Sequence, residues 1–371
     1  MTARHVYVHV PFCARRCSYC DFAIAVRRSV PVEDFADAIA RELRTRFGDE
    51  RHGVDTIYLG GGTPSRLGAG GIQRLLDLVR SRFAPAPGAE ITMEANPEDV
   101  STADAARWRE AGVTRVSLGV QSFDDDVLRW MHRTHDAGQA VRAASMLREA
   151  GFDDWSLDLI FALPPEVERS WSDDLARAID LGPPHISSYG LTIEPHTPLL
   201  RWRERGQVHD AGEDRYEAEF LEADTVLTEA GFEHYEISNY ARAGRRAIHN
   251  SAYWRRVPYV GLGPSAHGFD GSARRWNLRE YVAWRERTLL GQDPVEGTES
   301  LDPVAIAIEE AYLGLRTSTG LPVSDANAGD FDRWRDQGWA AVVDGIGRLT
   351  PSGWLRLDAL VGDLTDVRSR Y

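Results

Sequence analysis

Six times between residues 5 and 230 a short apolar run gives way to a longer stretch whose apolar residues recur every three to four positions. The first run covers residues 5–10. The second, Asp55 to Leu59, enters Gly60-Gly-Gly-Thr-Pro-Ser65, and the others are Ala89–Ala95, Val113–Val120, Trp155–Leu163 and His185–Ile193. Helical spacing follows over 32–47, where Phe35, Ile39, Leu43 and Phe47 share a face, and over a helix carrying Ile72, Leu75, Leu76, Val79 and Phe83. It returns over 102–111, 124–132, 137–150, 170–181 and 213–230, the last with the stripe Tyr216, Phe220, Ala223, Leu227. Asp99 to Ser101 read as the cap of the helix at 102. Strands that all run one way need crossover helices, so the alternation predicts an α/β fold with a parallel sheet. Six units are too few to close an eight-stranded ring, which predicts an open, partial (β/α)6 barrel of the TIM type. Chemistry in such barrels gathers at the carboxyl ends of the strands. The residues expected there are Cys13 to Cys20, Gly60 to Ser65, Glu94 to Pro97, Gln121, Asp158 and Tyr189 to Glu194.

The chain has 3 cysteines, Cys13, Cys17 and Cys20, all in the loop after the first strand. Thiolates at this spacing can turn inward on one metal centre. Structural zinc asks for a fourth N or S ligand, which His9 or a remote histidine would have to supply. A disulfide would leave one cysteine over and strain so close a pair. An iron–sulfur cube on three cysteines fits better and leaves one iron open to a small molecule. Gly60-Gly-Gly-Thr-Pro lets bare backbone approach a ligand, and as an ordinary tight turn it would look the same. Glu94 and Asp158 are acceptors suited to hydroxyls or an ammonium, and Gln121 both donates and accepts.

The CxxxCxxC spacing beside Tyr19 and Phe22 resembles the cluster loop of the radical S-adenosylmethionine (SAM) superfamily. Further stretches extend the likeness over nearly the full length: Tyr7-Val-His-Val-Pro-Phe-Cys13, Leu59-Gly-Gly-Gly-Thr-Pro64, Glu94-Ala-Asn-Pro97, Gly119-Val-Gln-Ser-Phe123, Arg133-Thr-His135, Asp158-Leu-Ile and Gly261-Leu-Gly-Pro-Ser-Ala-His267. They resemble the oxygen-independent coproporphyrinogen III oxidase (HemN) family and its haem chaperone branch, HemW. The resemblance implies a 4Fe–4S cluster on Cys13, Cys17 and Cys20, with SAM filling the open iron site. It implies a SAM site lined by Tyr7, Gly61, Gly62, Thr63, Glu94, Gln121, Arg133 and Asp158, with Tyr19 beside the cluster.

Two features divide the branches. The oxidases carry a further cysteine two residues after the last ligand, where this chain has Phe22. His249-Asn250-Ser-Ala-Tyr253-Trp254 resembles the HNxxYW motif of the haem chaperones. That motif suits a metallated macrocycle: an imidazole for iron, aromatic rings against the plane and nearby arginines for the propionates. A buried histidine among core aromatics is the plainer reading. The expected role is therefore a haem chaperone that hands haem to haem-requiring proteins such as respiratory complexes. The alternatives are an oxidase that decarboxylates coproporphyrinogen III, and a zinc-stabilised scaffold.

A formal charge of −14 spread along the chain argues against a nucleic-acid binder. Arginine pairs at 15–16, 27–28, 245–246 and 274–275 stand ready for propionates or an acidic partner. No apolar run reaches the length of a membrane span, so contact with membrane-bound recipients would be peripheral. Met1-Thr-Ala-Arg lacks a signal-peptide pattern, and with reduced cysteines this predicts a cytoplasmic address. Beyond 290, helices near 303–315 and 327–337, a hairpin over Gly347–Leu357 and a closing helix predict a small winged-helix-like domain. The expected division is 1–235, a partial barrel; 236–290, a connecting segment; and 291–371, the small domain. A homodimer is left open.

Overall fold

The computed structural model describes residues 3 to 365; Met1 and Thr2, part of the stretch read above as lacking a signal-peptide pattern, and 366–371, the end of the expected small domain, lie outside the described residues. The six parallel strands are β1 (His5–Val10), β2 (His52–Gly61), β3 (Phe83–Ala95), β4 (Arg115–Gln121), β5 (Trp155–Phe161) and β6 (His185–Gly190). They pair in chain order, with Tyr7 opposite Tyr58, Tyr58 opposite Thr92, Glu94 opposite Ser117, Gly119 opposite Asp158, and Asp158 opposite Ser187. Side chains alternate across a strand, so one residue parity faces the helices and the other the lumen. Val6, Val8, Val10, Ile57, Leu59, Met93, Val116, Leu118, Leu157 and Leu159 join the buried apolar core under the helices. The opposite parity is polar: Tyr7, Tyr58, Glu94, Ser117, Asp158 and Ser187.

The helices behind this sheet include α1 (Val32–Phe47), α2 (Gly68–Arg80), α3 (Thr102–Glu110), α4 (Asp125–Trp130), α5 (Ala137–Glu149), α6 (Trp171–Asp180), α7 (Pro198–Glu204) and α8 (Glu213–Glu229). Phe35, Ile39, Leu43 and Phe47 of α1 are all buried, as their four-residue spacing requires. Phe83 belongs to the start of β3 rather than to α2, because β3 begins early and pairs with His52. Ser101 caps α3 by accepting from Asp104 N–H, while Asp99 accepts from the Ser65 hydroxyl at 2.7 Å.

The sheet continues past both expected edges. Beside β6 lie β7 (Glu233–Glu236) and β8 (Asn239–Ala241), antiparallel. Beside β1 lies β9 (Tyr259–Leu262), a seventh parallel strand, followed by antiparallel β10 (His267–Phe269), β11 (Ala273–Asn277) and β12 (Val295–Ser300). The result is a 12-stranded sheet in the order β12-β11-β10-β9-β1-β2-β3-β4-β5-β6-β8-β7. Segment 236–290 also supplies α9 (Ile248–Trp254) and α10 (Tyr281–Leu289).

One buried carboxylate ties α1 to that segment. Glu42 accepts from Arg46 at 2.7 Å, Asn277 at 2.7 Å, Gly263 N–H at 2.9 Å and the Trp284 indole at 3.0 Å.

The last part holds α11 (Pro303–Arg316), α12 (Ala328–Asp336) and a three-stranded sheet of β13 (Leu321–Pro322), β14 (Ala340–Val343) and β15 (Ile346–Leu349). The wing hairpin is thus 340–349, earlier than the expected 347–357. The Thr350 hydroxyl accepts from Gly353 N–H and starts the short helix α13 (Pro351–Trp354), before α14 (Leu357–Thr365). Among the described residues no helix is long and apolar enough to cross a membrane.

Candidate cofactor site

A chamber of about 530 Å³ opens at the carboxyl ends of the strands, lined by Cys13, Cys17 and Cys20 on one side and by β2 to β6 on the other. The cysteine loop is fixed from beneath. Ser18 N–H donates to the Met131 carbonyl at 3.1 Å, and Cys13 Sγ lies 3.5 Å from the Thr63 hydroxyl. Arg133 is half-buried, with one Nη donating to both Asn96 Oδ1 and the Gly119 carbonyl at 2.8 Å; its other Nη lies 3.5 Å from Cys17 Sγ. Burial pushes the Cys13 thiol up and the Cys20 thiol up to about 12, so a cation at the loop is what would make them thiolates. Among the described residues no three His, Cys, Asp or Glu side chains converge as they would on a single ion. The thiols line a wall, and a multi-iron cluster spreads its ligands more widely than one zinc ion does.

The glycine turn meets the chamber where a side chain has no room. Gly61 has φ 109°, and a Cβ there would run into the His9 ring. A Cβ on Gly62 would lie 2.7 Å from the Pro11 carbonyl carbon, at the entry to the cysteine loop. Gly61 N–H donates to Glu94 Oε2 at 2.9 Å, and the Tyr58 hydroxyl to Glu94 Oε1 at 2.8 Å. Burial outweighs both bonds and pushes the Glu94 carboxyl up to about 7. Burial likewise raises Asp158 to about 6, although it accepts from Ser117 at 3.0 Å. Gln121 closes β4 with φ 70°, a left-handed backbone rare outside glycine, beside the ligand space.

The structure therefore gathers Tyr19, Gly61, Gly62, Thr63, Glu94, Gln121, Arg133 and Asp158 around one chamber with the three cysteines. Tyr7 does not line it: it lies one layer deeper, its ring stacked on Tyr58 at 6.0 Å and its hydroxyl 3.1 Å from His9 Nδ1. Asn96, Ser117, Tyr189, Thr192 and Glu194 line the chamber without having been singled out individually. Their signal was there to read, as polar residues two apart inside otherwise apolar strands or just beyond them.

The motif at 249–254 lies elsewhere. It forms α9, packed toward the amino ends of β1 to β3, the end opposite the cysteines. The Glu90 carboxylate accepts from Ile248 N–H at 2.8 Å and His249 N–H at 2.9 Å. His249 is buried, its Nδ1 bonded to the Thr56 hydroxyl at 2.6 Å and its Nε2 to the Tyr253 hydroxyl at 2.7 Å. Burial holds its pKa down at about 3. Both ring nitrogens are thus bonded to hydroxyls within the barrel floor, away from the chamber. Tyr253 packs edge-on against His249 and Tyr259, and Arg316 covers the Trp254 ring at 4.3 Å. Asn250 is half-buried beside them.

Comparison with known proteins places this geometry. The profile described as the radical SAM superfamily matches residues 7–178. A protein of Mycobacterium tuberculosis named heme chaperone HemW is 37% identical over 97% of this chain and 94% of its own length. One of the same name from Synechocystis is 36% identical over 85% of this chain and 78% of its own. The solved structure of coproporphyrinogen III oxidase (HemN) from Escherichia coli, a radical SAM enzyme, superposes with a TM-score of 0.82 at 22% identity, over 100% of this chain and 92% of that one.

Proposed function

The chain belongs to the radical SAM superfamily and, within it, to the HemW family, and from that membership we propose that it is a haem chaperone. It binds a 4Fe–4S cluster, SAM and haem, and passes the haem to haem-requiring proteins, respiratory complexes among them. The observation that carries this reading is the single chamber in which three buried or half-buried thiols face Glu94, Gln121 and Asp158 across a bare glycine turn. Cys13, Cys17 and Cys20 would hold the cluster, whose open iron site supplies chelation to the amino and carboxylate groups of SAM. Gly61, Gly62 and Thr63 present backbone and hydroxyl to the amino acid end. Glu94 and Asp158 offer acceptors for an ammonium or ribose hydroxyls. Tyr19 flanks the loop, and Arg133 sets its charge against Cys17. Tyr7 supports Tyr58, which in turn holds Glu94.

A chaperone role rather than porphyrinogen oxidation is supported by Phe22, which stands where the resembling oxidases carry a further cysteine. The setting we propose is cytoplasmic, with peripheral contact where a recipient sits in a membrane. The motif residues Asn250, Tyr253 and Trp254 act through the floor they build. The test is anaerobic reconstitution followed by Mössbauer and absorption spectra with and without SAM, a haemin titration, and incubation with coproporphyrinogen III, SAM and reductant. A SAM-responsive cluster with stoichiometric haem and no protoporphyrinogen is the expected result. Colourless protein carrying one zinc per chain, or turnover of coproporphyrinogen III, would overturn the reading.

A further inference from the structure

The outer side of the cysteine loop carries a second cavity, of about 830 Å³. Its walls include Phe22, Ala23, Ala25, Val26, Tyr281 and Val282, and three of these are conspicuously bare: Phe22 is 58% exposed, Val26 45% and Val282 51%. Four guanidiniums, Arg16, Arg27, Arg201 and Arg279, border it, against two carboxylates, Asp21 and Glu280. Arg16, Arg27 and Arg279 donate to the backbone carbonyls of Cys20, Val26 and Asp21. None of the four forms an ion pair with a carboxylate among the described residues. In the cavities beside α9 one arginine, Arg255, is likewise bonded only to a carbonyl, while Arg4 is paired with Asp55, Arg256 with Glu309 and Glu310, and Arg274 with Glu299 and Glu309. In a chain of net charge −14, four unneutralised guanidiniums around an apolar hollow are a receptor for an anion that is itself largely apolar. The cavity also holds an imidazole. His196 lines it, exposed, on a backbone at φ 63°, in the turn before α7.

We propose that this cavity is the haem site: the planar face of an iron tetrapyrrole lies on Phe22, Val26 and Val282, its propionates meet Arg201 and Arg279, and His196 takes an axial position on the iron. The proposal rests on the chaperone reading and gives it a place apart from the barrel floor, where His249 is bonded to the Thr56 and Tyr253 hydroxyls. Phe22 then has a use on the outer wall of the loop whose cysteines line the inner one.

The test is a titration of the reconstituted full-length protein with haemin and, separately, with haemin dimethyl ester, which lacks the carboxylates. Wild type, His196→Ala and Arg201→Ala/Arg279→Ala are compared, with thermal unfolding and SAM binding measured on each to show that the fold and the inner chamber are unchanged. Expected are a shifted Soret band and at least tenfold weaker binding for His196→Ala. The double variant should lose about tenfold for haemin and nothing for the ester. If wild type binds haemin and both variants bind it identically, the cavity proposal falls and the chaperone reading stands. If wild type binds no haemin, the chaperone reading itself falls. Should the double variant instead lose only the binding of an acidic recipient protein, the patch is a protein-docking face and the haem lies elsewhere.

Discussion

Glu94 and Asp158 face the chamber from two strands, and burial holds both carboxyls well above the usual range, at about 7 and about 6. A raised carboxyl is protonated in the empty site below that value and ionises when a cation arrives. When the SAM sulfonium arrives, the two carboxyls should therefore give up about one proton at pH 6 and almost none near pH 8, where both are already charged, in addition to the proton the SAM ammonium loses when its amine chelates iron. Calorimetry of SAM binding in buffers of different ionisation enthalpy measures this directly. Glu94→Gln should cut the proton release at pH 6 while leaving that at pH 8 almost unchanged, and a variant that matches wild type at pH 6 would contradict the assignment. His249 makes the opposite case, a group whose worth is structural. Its replacement by alanine leaves the Tyr253 hydroxyl without its partner, takes from Thr56 one of its two histidine partners, and opens a void. The expected loss is about 2–4 kcal/mol of stability in urea unfolding, with haemin affinity retained. The sequence made the chemistry of His249 legible but not its surroundings, because which atoms fill both ring nitrogens depends on strands β1 to β3 that are remote in the chain.

Helix and strand positions were readable because each element repeats its own pattern: α1 shows four-residue spacing along its whole length, and β1 alternates Val6, Val8, Val10 with His5, Tyr7, His9. The alternation also held the position of the chamber, since the polar parity marks the lumen. Sheet edges were not readable. β9 pairs with β1 across some 250 residues, and nothing local in Tyr259–Leu262 says which strand it joins. The bond that fixes this junction was equally hidden, for Glu42 looks like one more acid on an amphipathic helix. Its carboxylate is wholly buried and gathers Arg46, Asn277, Gly263 and Trp284, and so fastens α1 to the turn after β9 and to α10. Glu42→Ala strands the buried Arg46 charge and should cost about 3–5 kcal/mol. Because the turn at Gly263 backs onto β1 at His9, the same variant should lose cluster occupancy, read as iron per chain after anaerobic reconstitution. Unchanged unfolding midpoints would show the network to be dispensable.

At the scale of the molecule, one loop separates two cavities. Asp21, Phe22 and Ile24 contribute to the wall of both, yet the inner space belongs to the strand ends and the outer to α7, α10 and the stretch Pro11 to Arg27. Apart from those three residues the two linings differ, so each cavity has walls of its own for a ligand. The expectation is a ternary state: with the cluster in place, equilibrium dialysis should recover one SAM and one haemin per chain together. Saturating either should change the affinity of the other by less than about tenfold, or ~1.4 kcal/mol. The sign of any residual coupling tells how the wall moves. If filling the inner chamber draws Asp21 to Ile24 inward, the outer hollow widens and haemin binds more weakly, which is the direction a carrier needs when it must let go. One-for-one displacement of haemin by SAM would place both ligands in the inner chamber. The cationic outer face would then be left to recipients, whose binding should weaken as salt rises because the attraction is long-range and screened.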